Sequence, residues 1–238
     1  MASFHLSLKR GARGKAARHS NYIARRGEFS QLAGRGDLMY TGCGNLPGWT
    51  NGDPRVLWRA SDRYERANGM AYIEFELALP AELASAQQLE LVKRFIQIEG
   101  RGRPFEFAVH CPQGSVAGLP QPHAHVMFSN RLPDAVERTP EQHFQRFNRK
   151  SPELGGCFKE GAGIPISEMT NRLRATRKLW AELQNESLCH HGHMARVDHR
   201  SYKERGIGRE PEQHLGSFRV SQMTDADRGI LLKARAQI

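Results

Sequence analysis

The 238-residue sequence has no long apolar run, no cysteine pair and no glycine-rich phosphate loop. No stretch approaches the roughly 18–20 apolar residues that a membrane-spanning helix needs. The first residues also lack the apolar region of a signal peptide, so the sequence predicts a cytoplasmic protein. The four cysteines contain no CxxC pair, which favours reduced thiols over a disulfide framework or a cysteine zinc site. Without a GxGxxG or GxxxxGK turn, a nucleotide-binding doubly wound fold is disfavoured.

Acidic residues are scarce where basic residues cluster. The chain has 35 Lys and Arg against 25 Asp and Glu, a net charge of +10 at pH 7. Residues 1–30 contain seven basic side chains but only one acidic side chain, Glu28. Because the planar guanidinium of arginine suits phosphate, this charge predicts a nucleic-acid partner. The alternative is a basic surface that only keeps the protein soluble.

Alternating polarity and capping signals predict an α+β protein. Strands are predicted over 3–9 and 70–79, and in "PFEFAVHC" and "HAHVMFSNR", which pair as an antiparallel hairpin. A helix begins after Asp53, another ends at Gly100, and 30–53 is predicted to be an ordered loop. The order of elements predicts an antiparallel-rich sheet with helices on one face.

The second half of the chain is more polar and more helical. A short helix is predicted in "TPEQHFQRFNR", a long one from "ISEM" to "CHHG", and a closing helix capped by Thr224 or Asp225. The sequence predicts a single domain over 1–238, in which 190–238 forms a basic C-terminal segment.

Two histidines stand two residues apart at the start of an apolar run, in "PHAHVMFSNR". On a strand, His123 and His125 lie on one face. His110 ends the preceding strand, so a hairpin brings the three imidazoles together. Three neutral imidazoles with an open coordination position are a common site for a catalytic divalent cation. The alternatives are a solvent-facing histidine pair or histidines hydrogen-bonded in the core.

A possible nucleophile, Tyr22, lies in a predicted helix among basic side chains. A nearby cation or metal favours the phenolate, and a phenolate that attacks a phosphodiester forms a phosphotyrosine bond. The alternative is a tyrosine that only packs its ring. Glu74 and Glu76 share one face of their strand, where one of them can orient a histidine or accept the phenol proton. Their alternative is the solvated side of a half-exposed strand.

Several segments resemble the MobA/MobL family of plasmid mobilisation relaxases, in the family's order. "KAARHSNYIARRGEF" resembles the first motif, with Tyr22 at the catalytic position. "IEFELALPAEL" matches a segment in which a glutamate precedes ALP, and "FAVHCPQGSVAGLPQPHAHVMFSNR" matches the third motif. "VDHRSYKERGIGREPEQHLG" resembles the C-terminal signature. The third and last motifs are specific.

This resemblance implies an HUH endonuclease fold, with a five-stranded antiparallel sheet flanked by helices. The implied enzyme is a single-strand DNA endonuclease that nicks a plasmid origin of transfer and keeps the 5′ end on Tyr22. His110, His123 and His125 are expected to hold Mg²⁺ or Mn²⁺. Glu76 is the expected supporting acid, with Glu74 as the alternative.

The expected partners are origin-of-transfer DNA in single-stranded or locally melted form, relaxosome accessory proteins and a coupling protein. No membrane partner is expected for this bacterial cytoplasmic protein. The side chains expected to contact DNA are Arg18, Arg25, Arg26, Arg131, Arg200 and Lys203.

Other functions remain open at this stage. The same chemistry fits an HUH rolling-circle replication initiator, which differs in the DNA site it cuts. A non-catalytic DNA-binding accessory protein with a structural metal also fits the positive net charge. An unrelated three-histidine hydrolase is a further alternative, but it leaves the positive charge unexplained. The segment "DHRSYKERG" either faces DNA or caps the sheet through contacts between Asp198 and Arg200.

Overall fold

The computed structural model describes residues 4–114, 118–208 and 222–236. A five-stranded sheet forms the centre, with strand order β1-β3-β5-β4-β2 and antiparallel pairing throughout. This confirms the predicted α+β class and the antiparallel sheet. Its strands are β1 (Leu6–Ala12), β2 (Leu38–Gly44), β3 (Met70–Ala78), β4 (Phe105–His110) and β5 (His123–Phe128).

Six α-helices, three 3₁₀-helices (Gly27–Arg35, Gly48–Thr50 and Pro152–Leu154) and a small second sheet complete the regular structure in the described part of the chain. The small sheet pairs β6 (Arg131–Leu132) with β7 (Phe158–Lys159). No described helix has the length and apolar character to cross a membrane. The helices are α1 (Ala16–Ile23), α2 (Pro54–Tyr64), α3 (Ser85–Gly100), α4 (Pro140–His143), α5 (Ile166–His190) and α6 (Asp225–Ala236).

Local sequence signals account for several element boundaries. Asp53 caps α2, since its side chain accepts a hydrogen bond from the backbone N–H of Arg55, and Pro54 occupies the first turn. Thr224 caps α6, because its hydroxyl accepts from the N–H of Asp227. The sequence prediction placed β1 three residues too early and missed β2, which lies inside the predicted loop.

Alternation along the strands gives the sheet two chemically different faces. We call them the apolar face and the polar face. The apolar face carries Phe75, Leu77, Phe107, Val109, Val126 and Phe128, and the polar face carries Glu74, Glu76, Glu106, His110, His123 and His125.

Helices cover both faces, which corrects the expectation that they lie on one side. On the apolar face, α3 and α5 contribute Phe95 and Trp180 to one buried cluster with the sheet. On the polar face, α1 and α2 bring Ile23 and Trp58 against Met127 in a second buried cluster. The polar face is therefore enclosed along part of its length, where Glu74 and Glu106 contact His19 and Ser20 of α1.

Candidate active site

The three predicted histidines meet at the loop end of the β4–β5 hairpin, where β4 ends at His110 and β5 begins at His123. His110 lies directly opposite His123 in the strand register, and His125 follows on the same face. Their ring centroids are 5.6 Å (His110–His123), 5.5 Å (His110–His125) and 5.2 Å (His123–His125) apart. The predicted convergence of the three imidazoles is therefore confirmed.

Each of these rings has its Nδ1 atom next to a protein group. The Nδ1 of His123 is 2.9 Å from the carbonyl oxygen of Gln121, and that of His125 is 2.6 Å from Oε1 of Glu74. A carbonyl or carboxylate acceptor places the proton on Nδ1 and leaves the Nε2 lone pair for a ligand. The Nε2 of His110 is buried and has no hydrogen-bond partner.

Burial favours the neutral form of two of the imidazoles. It lowers the pKa of His110 to about 4, with further lowering by Arg25 and the neighbouring histidines. Burial also lowers the pKa of His123, although the carbonyl of Gln121 opposes it. Neutral imidazole is the form that binds a metal ion, so these two rings are ready to act as ligands at pH 7.

The two glutamates of β3 make different contacts. Glu74 is buried, and its Oε1 accepts from both His125 and His19, the latter at 2.8 Å. Burial raises the pKa of Glu74, but these two hydrogen bonds lower it by more, so the net pKa lies well below its usual value. Glu76 instead pairs with Lys9. The contact expected of the supporting acid is thus made by Glu74, the alternative of the two.

His19 on α1, one of the basic side chains around Tyr22, contacts Glu74 at the candidate site. Among the described residues, the group whose ligand atoms all lie within 4.8 Å of one another is His19, Glu74 and His125. These three groups already satisfy one another, because a single carboxylate oxygen accepts from both rings. The spacing of His19, one helical turn before Tyr22, is the signal that points to it.

Tyr22 lies on the exposed side of α1, with 40% of its surface accessible. Its ring is 6.2 Å from the ring of His19, which is in turn 6.4 Å from the ring of His125. Tyr72 also stacks on His19, at 5.2 Å, but burial raises its pKa to about 12. Of the two tyrosines beside His19, Tyr22 is therefore the one that is exposed to solvent.

Arg25 follows α1 and connects Tyr22 to the histidines. Its guanidinium carbon lies 5.0 Å from the Tyr22 ring centroid, and its Nη1 donates to the Tyr22 carbonyl at 3.0 Å. Its Nη2 lies 2.9 Å from Asp37 and 3.2 Å from the Nδ1 of His110. Burial lowers the pKa of Arg25, but Asp37 and Tyr22 raise it by more. The expected cation beside Tyr22 is therefore present, although its side chain is only 7% exposed.

Arg131 corrects the expected set of DNA contacts. Its side chain is 3% exposed, and it forms a bidentate pair with Glu65. Its remaining N–H groups donate to the carbonyls of Phe144, Gln145 and Cys157. A guanidinium that is buried and fully hydrogen-bonded holds the fold together and does not reach a phosphate, so the predicted DNA contact is wrong for this residue.

The other predicted basic residues differ in exposure. Arg18 is 72% exposed and pairs with Glu28, whereas Arg26 is partly buried against Glu106. Arg200 is 54% exposed and binds Asp198, as the capping interpretation of this segment expects. Lys203 is exposed. The rest of the predicted C-terminal signature, 209–216, lies outside the described residues.

Comparison with known proteins agrees with these features. A profile described as the MobA/MobL family matches residues 18–225. The chain is 44% identical over 211 residues to the 43 kDa relaxation protein of Salmonella typhimurium, covering 88% of this chain and 57% of that protein. It is 39% identical over 221 residues to Mobilization protein A of Escherichia coli, covering 91% of this chain and 30% of that protein. The chain thus spans about half or less of the length of these two relatives.

One solved structure shares the fold. It comes from work on the molecular basis of vancomycin resistance transfer in Staphylococcus aureus. The similarity has a TM-score of 0.61 at 20% identity, and it covers 84% of this chain and 100% of the other. At this identity the similarity supports the architecture alone.

Proposed function

Because the chain belongs to the MobA/MobL family, we propose that it nicks one strand of plasmid DNA at an origin of transfer. The names of its relatives, a relaxation protein and a mobilisation protein, support this function. The observation that carries the proposal is the position of an exposed tyrosine beside three clustered histidines. Arg25 contacts both Tyr22 and His110, so the two groups belong to one site.

The proposed reaction is a transesterification at Tyr22. Its phenolate oxygen attacks the scissile phosphorus, the bond to the 3′ oxygen breaks, and the 5′ phosphate remains attached to the tyrosine. The phenol proton passes to water at the exposed ring, and the departing 3′ oxygen takes up a proton. The Arg25 guanidinium beside the ring stabilises the phenolate by its positive charge.

The histidine cluster suits a divalent cation such as Mg²⁺ or Mn²⁺. His123 and His125 have Nδ1 facing oxygen acceptors, which directs Nε2 towards a ligand. The buried, unpartnered Nε2 of His110 fits the same use. His110, His123 and His125 would hold the cation, which would supply Lewis-acid stabilisation of the charge on the phosphate.

We propose Glu74, and not Glu76, as the supporting acid. Its carboxylate fixes the ring of His125 by a 2.6 Å hydrogen bond, and the same oxygen holds His19. Outer carboxylates of this kind orient metal-binding histidines and set their tautomer. Glu76 forms an ion pair with Lys9, so it acts on the histidines only through its charge.

DNA contacts are proposed for the exposed basic residues Arg18, Arg200 and Lys203. Their side chains extend into solvent, where phosphate neutralisation by Lys and Arg contributes to binding. Relaxosome accessory proteins and a coupling protein are the further proposed partners of the mobilisation reaction.

The test is covalent attachment to single-stranded oligonucleotides tiled across the plasmid region that carries this gene, with Mn²⁺ or Mg²⁺. The wild-type protein is expected to give one DNA-linked band at one site. His123→Ala and His125→Ala should keep DNA binding but lose the band. Binding without any band in the wild type would support a non-catalytic accessory protein instead. A cut at a replication origin would support a rolling-circle initiator.

A further inference from the structure

A buried ion pair, Arg25–Asp37, lies directly behind the candidate active site. The two side chains are 7% and 9% exposed, and their closest atoms, Nη2 and Oδ2, are 2.9 Å apart. The Arg25 Nε approaches the other carboxylate oxygen at 3.4 Å. Sequence reasoning assigned Arg25 to DNA, but a buried, paired guanidinium is poorly placed for that role. A buried charge pair costs desolvation energy, so its contacts with the site call for an explanation.

The backbone of Arg25 is held in an unfavourable conformation. Its φ angle is 52°, in the left-handed region that residues with a Cβ rarely adopt. The N–H of Arg25 donates to the Tyr22 carbonyl at 3.2 Å, and its Nη1 donates to the same oxygen. The turn thereby fixes the guanidinium against the last turn of α1, where Tyr22 lies.

Asp37 anchors the pair next to β4. Its backbone carbonyl accepts from the N–H of Cys111 at 2.7 Å, directly after His110. Its Oδ2 lies 3.9 Å from the Nδ1 of His110. The carboxylate therefore stands beside the same nitrogen that Arg25 contacts at 3.2 Å.

The tautomer of His110 decides whether its Nε2 can bind a cation, and Asp37 lies close enough to influence that tautomer. If the Arg25 N–H donates to Nδ1, the imidazole proton lies on Nε2, which then cannot bind a cation. Ligation through Nε2 requires the proton on Nδ1, and Asp37 offers the nearby oxygen to accept that hydrogen bond. The other two histidines already have an oxygen acceptor at Nδ1, from Gln121 and Glu74.

We propose that Arg25 and Asp37 are positioning residues. When Nε2 of His110 binds a cation, Asp37 replaces Arg25 at Nδ1 and accepts its hydrogen bond. Arg25, held by Asp37, fixes the last turn of α1 that carries Tyr22. This inference rests on the proposed function. The two members of the pair have separate tasks. Asp37 acts on cation binding at the histidines, and Arg25 acts on the alignment of the tyrosine.

The first test measures Mn²⁺ affinity without DNA, from the electron paramagnetic resonance signal of free Mn²⁺. Asp37→Asn keeps the shape of the side chain but removes the carboxylate, and it is expected to weaken Mn²⁺ binding by about 10–100-fold. The matched control is Glu65→Gln, which alters the buried Glu65–Arg131 pair. The control should melt at a lower temperature, yet bind Mn²⁺ like the wild type.

The second test uses Arg25→Lys, which retains a cation beside Asp37 but loses the planar fork. At saturating Mn²⁺ the rate of covalent adduct formation should fall by about 10–100-fold, because misplacement of a reacting group costs that much. Its Mn²⁺ affinity should change far less than that of Asp37→Asn. This split between rate and affinity is not expected of a pair that only stabilises the fold.

The outcomes separate the inference from the proposed function. A wild-type protein that binds no Mn²⁺ and forms no adduct overturns the proposed function and the inference with it. A wild-type protein that does both, while Asp37→Asn keeps full Mn²⁺ affinity, overturns the inference alone. If Asp37→Asn does not fold, Arg25→Lys decides, and a wild-type adduct rate in that variant overturns the role of Arg25.

Discussion

The two faces of the central sheet use the same strands for opposite purposes. On the apolar face, Phe75 and Phe128 pack edge-on against neighbouring rings in a buried cluster. On the polar face, alternate positions of the same strands place Glu74 and His125 in hydrogen-bonding contact, where both are buried. The period of two along a strand thus separates the residues that stabilise the sheet from those proposed to carry chemistry.

The polar face is buried without being apolar, and its partners explain how. Glu106 accepts hydrogen bonds from Ser20 on α1 and Trp58 on α2, both at 2.7 Å, and pairs with Arg26. A buried carboxylate is tolerated only when it is paired and hydrogen-bonded, as it is here. The polar face therefore depends on specific contacts, whereas the apolar face depends on the volume that it buries.

The largest loss of stability is expected from a change on the apolar face. Phe95→Ala removes a fully buried ring that packs against Phe75 and Trp180 on the apolar face. It should lower the free energy of unfolding by about 3–5 kcal/mol, measured by urea denaturation. The Mn²⁺ affinity of the folded variant should match the wild type. A large loss of affinity would show that the faces are not independent.

A smaller loss is expected at the polar face. Glu106→Gln keeps the side-chain shape but removes the charge that Arg26 faces. The free energy of unfolding should fall by about 1–3 kcal/mol, because a buried donor loses its charged partner. Urea denaturation measures this change. An unchanged unfolding midpoint would mean that the charge of Glu106 contributes nothing beyond its hydrogen bonds with Ser20 and Trp58.

The pH dependence of stability should also reflect the buried histidines. Burial lowers the pKa of both His110 and His143 to about 4. The unfolded chain takes up these protons near pH 6.5, whereas the folded chain does not, so stability falls as pH drops from about 6.5 to about 4. The expected slope is up to about 1.4 kcal/mol per pH unit for each group.

Metal-free protein in a chelator is the material for this pH series. His143→Gln should reduce the slope by up to about 1.4 kcal/mol per pH unit, since it removes one of the buried imidazoles. Below about pH 4.5 the lowered pKa of Glu74 adds a further loss, because the unfolded chain protonates that carboxyl first. A stability that is flat between pH 6.5 and pH 4 would contradict the burial of these imidazoles.

The smallest stability effect is expected in the basic C-terminal segment. Arg200→Ala with Lys203→Ala should change the free energy of unfolding by less than about 0.5 kcal/mol, since both side chains are exposed. The logarithm of the single-strand binding constant falls linearly with the logarithm of the salt concentration. This slope should become less steep by about 0.7 for each lost phosphate contact. Lys178→Ala, on α5 behind the apolar face, is the control and should leave that slope unchanged. An unchanged slope in the double variant would favour the capping role of this segment.

Strand periodicity made much of the central sheet predictable. The hairpin of β4 and β5 and the shared face of its histidines follow from the alternation in "HAHVMF". In contrast, β2 carries "LMYTGCG", whose glycines obscure the strand pattern. Its strand structure comes from pairing with β4, a contact between distant parts of the sequence that alternation alone does not reveal.

The choice between the two glutamates also depended on distant residues. Period two placed Glu74 and Glu76 on the same face, but Lys9 from β1 engages Glu76 and His19 from α1 engages Glu74. Arg25 and Arg131 show the same limit. Both were predicted to contact DNA, and both are buried because Asp37 and Glu65 lie beside them in the fold. Charge is readable in a sequence, whereas the pairing that buries it is a property of the tertiary structure.

The comparison between two tyrosines on either side of His19 tests the central claim most directly. Tyr22 is exposed beside Arg25, and Tyr72 is buried with its pKa raised to about 12. The measurement is the covalent protein–DNA band formed with the cleaved oligonucleotide and Mn²⁺. Tyr22→Phe is expected to abolish the band, while Tyr72→Phe retains it. A band that persists in Tyr22→Phe, or cleavage without any covalent adduct, would contradict Tyr22 as the nucleophile.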